Sequence, residues 1–268
     1  MKTFSKMLME LYNLPPDLAQ GGAGRNKTAR VIRDAKMSVE WVISRINASK
    51  GALDFLGSQI KEFYDKGNMG LLFELRDGNL LKLTVDKDET HTSQNLQHME
   101  DMHDATVKIH RVAEFIFTGG MLSLYLILME KIAWEKLEDY LNNNFPDYDQ
   151  VSFAEIIESA LTYWDKNGYP QTINKENLLE ALHFDPTQQV GYFYNLVKSQ
   201  PNGMIDIIIK AINVVKRTND KHLDWTDYHS GNFMIDPETK RLKAIDFGVS
   251  NSRDKNKPIQ KVFEGISI

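Results

Sequence analysis

The sequence predicts an α+β fold in two lobes, and three observations predict it. The stretch from Ile60 to about Met129 carries five short strand-like runs, the stretch after Ile132 carries a series of amphipathic helical segments, and strand-like runs return only at "FMID" and "LKAID". At 268 residues, with 42 % hydrophobic and 26 % charged residues, the chain is long enough to bury a substantial core.

The elements follow in order. Apolar residues at helical spacing (Phe4, Met7, Leu8, Leu11) predict a helix from Met1 to about Asn13, ended by Pro15 and Pro16, and a second helix runs from about Asn26 to Asn47. Residues 1–50 thus form a helical extension. The runs "IKEFY", "LLFEL" and "LLKLTV" read as three strands, the last two joined through Asp77-Gly78-Asn79, a hairpin signal. A polar helix is expected from about His91 to Lys108, then two strands, "RVAEFIF" and "LSLYLILME", around Gly119-Gly120. The expected first lobe is therefore residues 51–132, an antiparallel sheet of five strands with one inserted helix. Residues 133–268 are expected to form a shortened, mainly helical second lobe with an insert at 142–202.

Composition narrows the chemistry. With no cysteine, there is no disulfide framework, no thiolate metal site and no thiol nucleophile. The net charge of -5 argues against a general nucleic-acid partner. No apolar run reaches about 18 residues, and the opening "MKTFSKMLMELYNL" lacks a small-residue cleavage site. The expectation is a cytoplasmic protein with no membrane partner.

The densest functional signal is "LDWTDYHSGNFMID", residues 223–236. Asp227 lies five positions before Asn232, and Asp246-Phe247-Gly248 follows. This pattern resembles the H-R-D-x-x-x-x-N and D-F-G motifs of protein-kinase-like phosphotransferases, and Asp227 to Asn232 also resembles the D-x-H-x-G-N loop of aminoglycoside and choline kinases. A single Asp or Asn in such a place is ordinarily turn chemistry; their joint spacing is what carries the signal. The H-R positions hold Trp225 and Thr226, so the basic residue that clamps a phosphorylated activation loop is missing.

The resemblance assigns roles that the chemistry of phosphoryl transfer explains, since that reaction needs positioning and charge neutralisation above all. Asp227 would orient the attacking hydroxyl and take its proton. Asn232 and Asp246 would offer hard oxygen donors to Mg²⁺, and His229 either meets the γ-phosphate of ATP or braces the loop. Lys82, in the third strand, would pair the α- and β-phosphates, and Glu100, eighteen residues on, is expected to hold it. Gly67 and Gly70 in "DKGNMGLLF" match a glycine-rich phosphate loop, although Asp65 replaces its first glycine. "LILMEKI" resembles a hinge, with Met129 lining the adenine pocket and the backbones of Glu130 and Ile132 reading the base.

The pattern "D-x-H-S-G-N-x-M", Asp227 to Met234, with only twenty residues after Gly248, resembles the early Ser/Thr protein kinases of short-tailed lytic bacteriophages. That resemblance implies an ATP- and Mg²⁺-dependent kinase acting on host proteins and on itself in the host cytoplasm, with Ser250 and Ser252 as candidate self-targets. Two other readings stand beside it. One is a kinase of a small alcohol of the aminoglycoside or choline kind. The other is a nucleotide-binding protein that inhibits a host factor by contact.

Two further features belong to the extension. "GGAGRNKT", Gly21 to Thr28, nearly spells a phosphate loop but follows no strand, and reads as a linker into the helix at about Asn26. Residues 25–50 carry seven Lys or Arg against Asp34 and Glu40, either a solvated face or a docking face for an acidic partner.

Overall fold

The computed structural model describes residues 12–15, 18, 26–66, 70–120, 122–146, 151–183, 192–223, 225–247 and 258–265. The α+β class stands. The chain divides into two compact units, Met1–Glu100 with Lys108–Lys131 and Asp254–Ile268, and Asp101–Val107 with Ile132–Arg253. The helix expected over Met1 to Asn13 lies outside the described residues except for its last two positions. Among the described residues no helix is long and apolar enough to cross a membrane.

In the first unit, three helices precede the sheet: α1 (Lys27–Asp34), α2 (Val39–Ala48) and α3 (Lys50–Leu56). The single helix expected from Asn26 to Asn47 is interrupted because Lys36 takes positive φ and Ser38 caps a new start, accepting from the Trp41 N–H. These helices are not an appendage. Ile32, Val42, Ile43 and Ile46 share one core with Phe73, Leu83, Phe115 and Leu126 of the sheet.

The sheet runs β1 (Ile60–Lys66), β2 (Gly70–Leu75), β3 (Leu80–Thr84), then helix α4 (Lys87–Leu96), then β4 (Ile109–Ile116) and β5 (Ser123–Met129). The five expected strands and the helix after the third are present. A sixth strand, β9 (Gln260–Phe263), is added at the edge, giving the order β1-β2-β3-β5-β4-β9. Strand β9 runs parallel to β4, so the sheet is not purely antiparallel and the end of the chain belongs to the first unit rather than to the helical one. Glu264 fixes it there, accepting from the Thr118 N–H at 2.7 Å and pairing with Arg45. A four-residue run with one buried position gives no alternation long enough to announce a strand.

The second unit holds β6 (Glu135–Lys136), α5 (Leu137–Asn144), α6 (Val151–Asn167), α7 (Lys175–His183), α8 (Tyr192–Ser199), α9 (Asn202–Asp220), β7 (Phe233–Ile235) and β8 (Leu242–Ala244). The expected insert is part of this unit's core: Phe153 of α6 meets Phe233 of β7 edge to face at 6.0 Å, and Ile156, Leu178, Ile208 and Ile212 are fully buried. The helix expected to reach Lys108 instead stops at Leu96. Beyond it, Val107 donates to the Ala244 carbonyl and Ala244 to that of Ala105, so this backbone pairs with β8 and is not free to be helical. Arg217 of α9 secures the same segment through both carboxylate oxygens of Asp104 and the carbonyl of Asp101.

Candidate active site

Lys82 is 5 % exposed, in a strand with all five residues buried, paired with Leu72 of β2 and Ile127 of β5. A buried ammonium needs a carboxylate, and Glu89 supplies it in an ion pair whose side chains are 6 % and 3 % exposed. The partner is therefore not Glu100, which stands exposed in the short 3-10 turn Glu100–Met102. The cause is local. The Asp86 carboxylate accepts from the N–H groups of Asp88 and Glu89, which starts α4 at Lys87 and places Glu89 in its first turn, beside β3. Asp86-x-x-Glu89 has the spacing of a capping box, and that signal would have found the residue in the sequence.

Gly70 begins β2 opposite Thr84. A Cβ there would lie 2.6 Å from Lys82 Cε, so the absent side chain makes room for the lysine stem. Asn26, unnoticed as a site residue, donates to the Gly70 carbonyl at 2.8 Å while its oxygen caps α1 at Ala29 N–H. Asp65, whose carboxylate would repel a phosphate, turns it onto the N–H of Lys66 at 2.7 Å. Gly67 lies outside the described residues. At the far end of β5, Met129 is buried, and Glu130 exchanges hydrogen bonds with Lys108: its N–H donates to the Lys108 carbonyl and its carboxylate accepts from the Lys108 N–H. Ile132, half-buried, begins the longer stretch of the second unit.

In the second unit the loop at 225–232 rests on an aromatic base. Trp225 is fully buried, 5.2 Å from the rings of both Phe233 and Phe247 and edge to face with Tyr228. Its N–H is held by Asn219 of α9 at 3.0 Å, whereas its indole nitrogen finds no partner among the described residues. Burial, with Glu158 and Asp165 adding to it, pushes the Tyr228 hydroxyl up to about 12, so the ring stays neutral against this base.

The polar residues stand on that support. Asn232 donates through Nδ2 to the Asp227 carbonyl at 2.6 Å, and its own carbonyl accepts from Ile245 N–H at 3.0 Å. The β7–β8 hairpin, in the register Phe233 to Ala244, thus brings Asp246 to the end of the hairpin where Asn232 and Asp227 lie. His229 Nδ1 accepts from the Gly231 N–H at 3.1 Å, and its Nε2 lies 3.7 Å from an Asp227 oxygen. It braces the loop through one nitrogen and presents the other beside Asp227. Glu138 of α5 borders the loop as well: its carboxylate would be 3.2 Å from a Cβ on Gly231.

With Nδ2 spent on a carbonyl, the end of Asn232 left for a cation is its oxygen. That oxygen with the Asp246 carboxylate is a hard donor set suited to Mg²⁺, which takes one or two carboxylates and completes its shell with water and phosphate. Among the described residues no three His, Cys, Asp or Glu side chains form a metal cage.

A comparison with protein-family models finds no match, and a comparison with curated protein sequences finds none either. Among solved structures the chain is similar to the kinase domain of Mycobacterium tuberculosis PknI. A single-substitution form shows 12 % identity over 72 % of this chain and 60 % of that one, with a TM-score of 0.35. Two double-substitution forms give 13 % and 12 % identity, covering 61 % and 59 % of their lengths, with TM-scores of 0.36 and 0.35. The chain spans about three fifths of the solved structures it matches.

Proposed function

We propose that this chain is an ATP- and Mg²⁺-dependent phosphotransferase that phosphorylates Ser or Thr of polypeptides, host proteins and itself, as the resemblance to phage-encoded kinases implies. The observation that carries the reading is the junction at Asn232, which ties the Asp227 backbone to the start of the hairpin leading to Asp246. A turn satisfied only for its own sake would not need an acid, an amide and a second acid gathered from positions nineteen residues apart.

Asp227, 40 % exposed at its side chain, would accept the proton of the attacking hydroxyl. The Asn232 oxygen and Asp246 would hold Mg²⁺, which supplies charge neutralisation on the phosphates when bound. Lys82, kept in place by Glu89, would bind α- and β-phosphate oxygens, and Gly67 and Gly70 would belong to the phosphate loop. At the hinge, the Glu130 N–H is already engaged by Lys108, so reading a base falls to its carbonyl and to the backbone of Ile132, with Met129 beside the ring. Glu100 has no part.

The test is incubation of the purified chain with labelled ATP and Mg²⁺, alone and with a cell extract. Label should appear in protein and vanish in Asp227→Ala with the fold retained; undiminished label in that variant defeats the reading.

One observation favours a second reading. Glu138 of α5 borders Gly231, and Glu158 and Asp165 of α6 bring negative charge to bear on Tyr228. Acids so placed suit a cationic alcohol as acceptor. Transfer to an aminoglycoside or to choline, with none to polypeptide, would establish it.

A further inference from the structure

Helix α1 has two faces of different chemistry. Thr28, Ala29 and Ile32 are buried, while Lys27, Arg30 and Arg33, three residues apart, are exposed, and Lys36 just beyond the helix is exposed as well. Lys27, Arg30 and Arg33 share one side of the helix at i, i+3 spacing, and Lys36 follows where the chain leaves the helix at positive φ. Of the two acids in this segment, one balances a single cation in the fold and the other balances none at the surface. Glu40 is 1 % exposed and so absent from the surface, and Asp34 is engaged by Arg33 at 3.2 Å. Lys27, Arg30 and Lys36 have no acidic partner among the described residues. Three unbalanced cations beside one paired arginine, on a chain of net charge -5, are a local feature that the composition as a whole opposes.

The buried face is not inert. Asn26, capping α1, grips the Gly70 carbonyl at 2.8 Å, and Thr28 accepts from the Val85 N–H at 3.2 Å. Gly70 and Val85 lie at the adjoining ends of β2 and β3, and Gly70 lies against the Lys82 stem. The cap of α1 therefore reaches, through Asn26 and Gly70, to the stem of the lysine assigned to ATP.

We propose that the Lys27–Arg30–Arg33–Lys36 row docks an acidic segment of the polypeptide substrate, remote from its phosphorylated hydroxyl, and that docking is transmitted to Lys82 through Asn26. The substrate assignment rests on the proposed kinase activity. Charge complementarity selects the occupant. A short run of Asp or Glu matches four cations of which three are unpaired, whereas a nucleic acid, with a phosphate at every step, would extend past the row onto a chain of its own sign.

The test uses the full chain and two fluorescent peptides that share one Ser-containing stretch and carry a run of Glu or of Gln. Binding is read by anisotropy without nucleotide, so that it succeeds or fails independently of transfer. The Glu peptide should bind about tenfold more tightly than the Gln peptide, an advantage that fades with added salt. The variant Lys27→Glu, Arg30→Glu, Arg33→Glu should lose it, and Arg76→Glu, Lys166→Glu, Lys198→Glu should keep it; if the first fails to fold, the Gln triple at the same positions replaces it. In the unmodified chain the Glu peptide should shift ATP affinity, and in Asn26→Ala it should bind without that shift. Equal binding of the two peptides, equal loss in the control triple, or a single-stranded oligonucleotide outcompeting the Glu peptide at the row would overturn the docking site. An ATP affinity indifferent to the peptide in the unmodified chain would overturn the coupling. Binding as expected with no transfer to any peptide would fault the kinase assignment and leave the docking row standing.

Discussion

Gly70 and Lys82 occupy one another's space: a methyl group on Gly70 would lie 2.6 Å from Lys82 Cε, 3.1 Å from its Cγ and 3.0 Å from the Leu83 carbonyl. The lysine stem fills the volume that any other residue would claim. Gly70→Ala should therefore displace the ammonium while leaving the strands paired. A shift of about 1 Å costs on the order of a hundredfold in rate where positioning governs the reaction. Steady-state transfer from Mg-ATP, read beside a thermal melt, checks this; an unchanged rate would remove Gly70 from the account.

The buried Lys82–Glu89 pair separates stability from activity. Lys82→Met removes the cation facing a buried carboxylate and should cost about 3–5 kcal/mol in urea unfolding. Adding Glu89→Leu removes the stranded charge, so the double variant should recover most of that loss and remain inactive. A double variant no more stable than Lys82→Met would show that the two groups do not depend on each other.

Asn232→Ala removes both the tie to the Asp227 carbonyl and the oxygen assigned to the metal. Its transfer should need at least about tenfold more Mg²⁺ for half-maximal rate, since one of few ligands is gone. A Mg²⁺ titration decides it. Chelation of the metal should stop transfer in the unmodified chain.

The hairpin turn carries a pH-dependent element. Hydrogen bonds from the Thr239 hydroxyl, from the N–H groups of Glu238 and Thr239 and from Arg241 hold the Asp236 carboxyl down to about 2, against 3.8 for the free group. A depressed folded-state value means stability that is present above about 3.8 and lost as the pH falls through about 2. Asp236→Asn should therefore melt lower than the unmodified chain at pH 6 and converge with it near pH 2. Parallel melting curves at all pH values would contradict the assignment.

Much of the fold was legible because its signals are local. Asp77-Gly78 fixes a hairpin, and alternating or continuous apolar runs fix β1 to β5 at nearly the expected bounds. The spacing of Asp227, Asn232 and Asp246 was likewise legible, since it is contained in a loop and a short hairpin within one stretch of chain. Glu89 precedes the polar helix expected from about His91, whereas α4 starts four residues earlier, on a capping Asp. Strand β9 was missed because its order comes from a partner, β4, nearly 150 residues earlier.

Residue types and short spacings determined which groups could do chemistry: a strand lysine, a loop Asp and Asn, a second Asp, and a cysteine-free set of oxygen and nitrogen donors. Tertiary structure alone decided which carboxylate faces Lys82, that Gly70 is the space its stem occupies, and that Glu40 is withdrawn from the surface while its basic neighbours remain. The physical reason is that hydrogen bonding along the chain is written in adjacent residues, whereas burial, charge pairing and excluded volume depend on what the rest of the chain places nearby.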